Sequence, residues 1–348
     1  MRADDNKSFC SKILQVCNYS SGDINQHNNF IEYDIPIFNK IPNSKKIQTK
    51  PKENKINSVK DLQSDFIEPK KDLNNTPLYC INWLKYKYEI KDFNQLKQQY
   101  EKILLIKPEL NIDHQIEKDL KRTLLAEENI KEIKNILLAY SIFDPSIGYI
   151  QGMNYIATVL YNHAKQEWVA FWIFLLLIDS IRIRDMYQMC MNSLNKYSKI
   201  LDFYIYRLQF KLYEKLKEKQ VLTQFYFQQW ILSLLLQQIP FEYSQMYLDG
   251  LLRKGLSYFY SIAITLIKIF EQTIIEEEQI EILMTLTQKQ NNKLNWRFIL
   301  SMNWGIENSD IEAFIDSFES EQNKFSIQRL QNNKQQQITH FIQFIKKC

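Results

Sequence analysis

Apolar residues recur at helical spacing along most of this 348-residue chain, and few residues interrupt the pattern. The chain has only six glycines and eight prolines, while 45% of its residues are hydrophobic. Strands joined by tight turns need glycine and proline often, so this composition argues against a turn-rich β fold. Apolar spacing of three and four residues is typical of amphipathic helices. The sequence therefore predicts an all-α fold, long enough to bury a sizeable core.

Several helices can be bounded by their apolar stripes and their first and last residues. We expect one helix to run through Arg122 with Asp113 as its cap, and the next to begin after Asn129 and end at Pro145. Another helix is expected from about Gln151. Further helices are expected over residues 167–178, 194–215, 225–238, 242–253, 256–275 and 278–288.

Composition divides the chain into three parts. Residues 1–75 are polar and lysine-rich, which predicts a largely disordered arm with at most a weak attraction to anionic lipid or an acidic partner. Residues 76–320 carry the helical pattern and are expected to form the folded domain. Residues 321–348 are rich in Gln and Asn, and we expect a polar tail with room for one helix.

Charge, cysteine content and hydropathy argue against several classes of function. A net charge of +4 is small for this length and does not indicate nucleic-acid binding. The five cysteines are odd in number and lack metal-ligand spacing, which favours reduced thiols in a cytoplasmic protein. The most apolar run, residues 170–178, is too short to span a bilayer. We therefore expect a soluble chain that reaches membranes only through a partner.

Two short polar motifs stand out from the apolar pattern. In the first, Asp119 precedes Arg122 by three residues, so that both share one face of a helix. In the second, Gly152 allows close backbone approach after Gln151, and Tyr149 can anchor the loop with its ring and hydroxyl. Either motif alone is weak, since an Asp–Arg pair on a helix is usually a solvated contact.

Together these motifs resemble a known family. Residues 116–123 and 148–157 are similar to the two signature boxes of the TBC domain, an all-helical, two-lobed module that activates Rab-type small GTPases. The apolar run from Trp230 resembles the tryptophan box of that family. Residues 247–255 resemble its Trp-Asp-x-Leu-Leu-x-x-Gly segment, and residues 167–172 match the acidic-aromatic helix between the boxes.

The resemblance implies a mechanism in which the chain lends side chains to another protein. Arg122 would be an arginine finger and Gln151 a glutamine finger, both inserted beside GTP on a Rab-family GTPase. The partner would bind GTP and Mg²⁺, so no cofactor of its own is expected for this chain, which also lacks a P-loop pattern. The supporting residues implied by the resemblance are Asp119, Tyr149, Gly148, Gly152, Asn154 and Asp249.

The sequence departs from the family pattern at two points and leaves alternatives open. Arg122-Thr123 is not followed by the proline that the family often has, and Tyr247 stands near the expected tryptophan. The leading hypothesis is a GTPase activator in vesicle trafficking, located in the cytoplasm and peripheral to endomembranes through its Rab. The first alternative is a TBC-fold scaffold that binds a Rab without catalysis. The second is an unrelated helical scaffold.

Overall fold

Helices build most of the chain that the computed structural model describes, which comprises residues 52–53, 71–72, 76–87, 93–181, 183–187, 191–288 and 294–316. The all-α class predicted from the sequence is confirmed. The described residues also contain short strands in two antiparallel pairs. Strand β1 (Lys52–Glu53) pairs with β4 (Met302–Asn303), and β2 (Lys71–Asp72) pairs with β3 (Thr76–Pro77). Most of the predicted arm and all of the predicted tail lie outside the described residues.

The first group of helices runs up to residue 180. Its members are α1 (Leu78–Lys87), α2 (Phe93–Leu104), α3 (Leu110–Leu120), a 3₁₀ helix (Leu124–Asn129), α4 (Ile130–Phe143), α5 (Met153–Ala164) and α6 (Glu167–Ser180). Helix α6 packs against α1, α2, α4 and α5. Its apolar side chains surround the axis, as expected for a helix that is covered on nearly all sides.

The second group of helices follows the short helix α7 (Arg184–Tyr187). Its members are α8 (Met191–Leu208), α9 (Phe210–Glu218), α10 (Thr223–Leu232), α11 (Phe241–Lys254), α12 (Leu256–Ile269), α13 (Glu271–Glu276), α14 (Gln279–Thr287), α15 (Trp296–Ser301) and α16 (308–316). Most contacts of these helices are with one another, and α11 also touches α5 of the first group. The two groups correspond to the two lobes expected from the sequence.

Two predicted helix ends near the signature motifs were wrong, and both errors affect the candidate site. Helix α3 begins at Leu110 and ends at Leu120, so Asp113 lies in its first turn and Arg122 lies beyond its last residue. Helix α5 begins at Met153, which leaves Gln151 in the preceding loop. Both motif side chains therefore project from chain segments that leave or enter a helix.

Three long predicted helices are shorter or divided in the structure. The expected helix 194–215 is interrupted at Gln209, whose φ of −138° and ψ of 50° are not helical, and the expected helix 256–275 is interrupted at Phe270. Both breaks redirect the chain so that α9 packs against α13. The expected helix 225–238 ends at Leu232 and continues as a buried turn in which Leu234 and Leu235 have positive φ angles.

Candidate functional site

Arg122 follows the end of α3 and is held there by the last acidic residue of the helix. The Arg122 Nη2 atom lies 2.7 Å from Asp119 Oδ1, while the side chains of Arg122 and Asp119 are 48% and 6% exposed. A guanidinium carries five N–H donors, so one contact to Asp119 leaves donors directed at solvent. The arrangement orients a cation at the surface from an anchor inside the protein.

Thr123 holds the turn after Arg122, two residues before Leu125, where the family often has a proline. Its backbone is extended, with φ of −99° and ψ of 100°, so the turn that follows α3 ends at this residue. The Thr123 hydroxyl donates to the Asp119 carbonyl at 2.8 Å and accepts from Asn154 Nδ2 at 2.8 Å. Two buried hydrogen bonds therefore fix the backbone directly after Arg122.

Gln151 lies in the loop formed by residues 144–152, which we call the glutamine loop. The Gln151 side chain is exposed, whereas its neighbours Tyr149 and Gly152 are buried. Gly152 has a φ of 116°, and a β-carbon built on it would lie 2.7 Å from the carbonyl oxygen of Leu232. Only glycine fits there without displacing backbone, so the loop is seated against the end of α10.

A hydrogen-bond network joins the two motifs. The Tyr149 hydroxyl donates to Asp119 Oδ2 at 2.8 Å and also lies 3.3 Å from Asn154 Oδ1. The same Asn154 oxygen accepts from the Gly152 backbone N–H at 2.9 Å. One carboxylate therefore contacts both Arg122 and the tyrosine of the glutamine loop, and one amide contacts Thr123 and Gly152.

The electrostatics of this network follow from burial of its aromatic hydroxyls. Burial and then the neighbouring Asp119 carboxylate raise the pKa of Tyr149 far above its ordinary value, so Tyr149 stays a neutral donor. Burial also raises the pKa of the half-buried Tyr155, while the Arg122 charge lowers it and the Asp119 charge raises it. Tyr155 is thus, after Tyr149, a second tyrosine close enough to Asp119 and Arg122 to respond to their charges.

The sequence places this network in a known family. The family model described as the Rab-GTPase-TBC domain matches residues 73–275, which is more than half of the chain. This chain belongs to the Rab-GTPase-TBC domain family. The resemblance stated from the two motifs is therefore confirmed, and an unrelated helical scaffold is excluded.

Curated relatives of this TBC chain match it over part of their length. GTPase-activating protein GYP5 of Saccharomyces cerevisiae is 25% identical over 162 residues, which are 46% of this chain and 18% of the yeast protein. TBC1 domain family member 4 of Mus musculus is 29% identical over 147 residues, 42% of this chain and 11% of the mouse protein. Growth hormone-regulated TBC protein 1-A of Danio rerio is 26% identical over 190 residues, which are 52% of this chain and 53% of the zebrafish protein. The match spans under two thirds of each relative.

A solved structure has the same fold. The crystal structure of the Chlamydomonas flagellar RabGAP TBC domain superposes with a TM-score of 0.51 at 20% identity. The alignment covers 64% of this chain and 77% of that chain. At this identity the likeness establishes the TBC fold alone.

The structure does not bring every predicted site residue of this TBC domain into the network. Asp249 lies on α11 and forms an ion pair with Arg253 one turn further along, at the surface. Gly148 does lie in the glutamine loop, with a φ of 66° and its backbone N–H bonded to the carbonyl of Asp144. The supporting role of Asp249 stays a prediction from the family pattern.

The sequence motifs gave no role to two residues near the site. Thr123 was recognised as part of a box but was not assigned a role, although it bonds to both motifs. Tyr155 lies within the second box, residues 148–157, and was likewise not assigned a role. Tyr155 is half-buried and is not among the buried residues of α5, so the apolar pattern of that helix could not have marked it.

Two further findings concern only the residues that the structure describes. Within these residues, no group of three or more His, Cys, Asp or Glu side chains could hold a metal ion. Among the described helices, none is both long and apolar enough to cross a membrane.

Proposed function

We propose that this TBC domain accelerates GTP hydrolysis on a Rab-family small GTPase by inserting Arg122 and Gln151 beside the bound nucleotide. The observation that supports this most is the Asp119 carboxylate, which contacts both Arg122 and Tyr149 of the glutamine loop. Two side chains that must act on the same phosphate need a common rigid support, and Asp119 supplies one. The names of relatives such as the yeast GTPase-activating protein agree with this activity.

Arg122 would supply positive charge during phosphoryl transfer. Negative charge develops on the γ-phosphoryl oxygens and on the leaving oxygen in the transition state, and a guanidinium inserted from another protein stabilises it. Arg122 remains bonded to Asp119 through Nη2, so the rest of the guanidinium can meet phosphate oxygens without leaving its anchor. An arginine finger contributes about 10³- to 10⁵-fold to the rate in related systems.

Gln151 would orient the attacking water. Gln151 is exposed, whereas Gly152 after it and Tyr149 two residues before it are buried, which holds the loop in place and leaves the amide accessible. The amide oxygen accepts a hydrogen bond from water and so fixes the direction of attack on the phosphorus. In this scheme the Rab binds GTP and Mg²⁺, and the chain contributes side chains but no reaction of its own.

The partner and its location follow from the same proposal. A GTP-loaded Rab is carried on an endomembrane, so the chain would act at the membrane surface through that Rab and would regulate vesicle trafficking. No nucleic acid is expected as a partner.

The test is single-turnover GTP hydrolysis across a panel of GTP-loaded Rabs. We expect the wild-type chain to accelerate one or a few Rabs, and Arg122→Ala and Gln151→Ala to remove most of that acceleration, by about 10³-fold for the arginine. Lys121→Ala is the matched control because Lys121 is a neighbouring exposed cation that pairs with Glu117. Full activity in Arg122→Ala would refute the arginine finger. Binding of a Rab without any acceleration would instead indicate the catalytically inactive scaffold.

A further inference from the structure

The start of the glutamine loop is organised around Asp144. The backbone carbonyl of Asp144 accepts hydrogen bonds from the N–H groups of Ile147 at 3.1 Å and Gly148 at 2.9 Å. The side chain of Asp144 is 13% exposed and accepts from the Ser146 hydroxyl at 2.6 Å. This residue therefore controls how the loop leaves α4.

Arg184, forty residues further along the chain, binds this carboxylate with two nitrogens. Its Nε lies 2.7 Å from Asp144 Oδ2 and its Nη2 lies 2.8 Å from Oδ1. The same Nη2 donates to Ser146 Oγ at 2.8 Å. A bidentate guanidinium–carboxylate pair fixes orientation as well as distance. Burial raises the pKa of Asp144, but the hydrogen bonds from Arg184 and Ser146 outweigh it and lower that pKa.

The helix that carries Arg184 also reaches the other end of the loop. Tyr187, at the end of α7, donates its hydroxyl to the carbonyl oxygen of Leu232 at 3.2 Å. This oxygen is the atom that a β-carbon built on Gly152 would approach most closely, at 2.7 Å. Helix α7 thus contacts residues before Gln151 through Arg184 and the surface that supports Gly152 through Tyr187.

We propose that Arg184 is a positioning residue for Gln151, acting through Asp144 and Ser146 to fix the conformation of the glutamine loop. The inference rests on the proposed GTPase-activating function for its catalytic consequence. Arg184 is 45% exposed, and its removal leaves the Asp144 carboxylate, which is 13% exposed, without its bidentate partner. Its effect is expected on the maximal rate of stimulated hydrolysis, while the concentration of chain giving half the maximal rate stays unchanged.

The experiment compares Arg184→Ala and Arg184→Lys with Lys268→Ala, a control that removes a similarly exposed cation from its pair with Glu271 on another surface. Amide hydrogen exchange is measured for residues 147–152 and for residues 156–164 of α5. Single-turnover hydrolysis is measured on a responsive Rab over a range of chain concentrations. The exchange arm needs no Rab, so it tests loop positioning even if no Rab responds.

In Arg184→Ala we expect exchange about fivefold faster in residues 147–152, unchanged exchange in α5, and a maximal rate about tenfold lower. Arg184→Lys keeps the charge but not the bidentate contact, so its loop exchange and its maximal rate are expected to lie between those of Arg184→Ala and the wild type. Lys268→Ala is expected to match the wild type in both measurements. Unchanged loop exchange, or faster exchange shared equally by α5, would overturn the proposal. So would faster loop exchange with a wild-type maximal rate. Wild-type chain that activates no Rab would refute the proposed function alone, and the loop exchange would then decide whether Arg184 positions the loop.

Discussion

Gly152 packs against the backbone of Leu232. Adding one methyl group at Gly152 tests how much this contact contributes to the stability of the fold and to activity. In Gly152→Ala the new β-carbon would lie 2.7 Å from the Leu232 carbonyl oxygen and 2.8 Å from its carbonyl carbon. Both atoms are backbone, so the glutamine loop or the end of α10 must move. A φ of 116° also strains any residue with a β-carbon. Strain and overpacking together should lower the free energy of unfolding by about 4 kcal/mol.

The matched control is Gly305→Ala, which separates strain from contact. Gly305 has a φ of 70°, but a β-carbon there would meet nothing within 4 Å. That variant should therefore lose only about 1 kcal/mol, from its left-handed backbone. Urea denaturation gives both stabilities, and single-turnover hydrolysis at a temperature where each variant is folded gives activity. We expect Gly152→Ala to lose activity as well, because Gln151 moves with its neighbour. Equal losses of stability in the two variants would refute the argument from close approach.

Three other changes test the network and the pH response of the fold. Asp119→Asn keeps an acceptor for Tyr149 but removes the charge that holds Arg122, so the maximal hydrolysis rate should fall about tenfold. The free energy of unfolding, measured by urea denaturation, should change by under about 1 kcal/mol. A wild-type rate would contradict this. Tyr149→Phe removes the buried donor to Asp119 and should lower the free energy of unfolding, measured with urea, by about 1–2 kcal/mol. An unchanged free energy of unfolding would contradict a stabilising role of the network. Burial, and secondarily the charge of Lys165, lowers the pKa of His163 to about 4. As pH falls below about 6.5, this histidine is protonated in the unfolded chain before it is protonated in the folded one. The free energy of unfolding should therefore drop by about 3 kcal/mol between pH 6.5 and pH 4, and by less in His163→Gln. An equal dependence on pH in the two proteins would refute this.

Much of the site could be predicted because its residues carry unusual local requirements. Gly152 adopts a backbone conformation that other residues avoid. Because the chain has only six glycines, a glycine at this position was already informative in the sequence. Tyr149 needs a hydroxyl partner when buried, and Asp119 is the partner it finds. The motif residues thus indicated a rigid support before their contacts were known. Their spacing could not indicate which atoms would meet, since Asp119 and Tyr149 lie on different elements.

The divisions of the long helices could not be predicted for the opposite reason. Neither Gln209 nor Phe270 is a glycine or proline, and the apolar stripe continues across both positions. The chain breaks there because α9 and α13 can then pack against each other, with Lys219 Nζ donating to the carbonyl of Ile275 at 3.0 Å. Such a gain depends on residues more than fifty positions apart, whereas helix periodicity is read within one turn or two.

The chain lacks the proline that the family often has after the arginine, but other contacts fix the turn that carries Arg122. In the family pattern Arg-Thr-x-Pro the proline falls at Leu125, the second residue of the 3₁₀ helix, where it would restrict Leu124 and not the residues next to Arg122. Thr123, which the family pattern shares, has an extended backbone after the turn, and its hydroxyl donates to the Asp119 carbonyl and accepts from Asn154. The hydrogen bond from Asn154 ties the turn to α5 without any contribution from position 125. The turn that carries Arg122 is therefore fixed relative to the glutamine loop by the residue that follows the arginine.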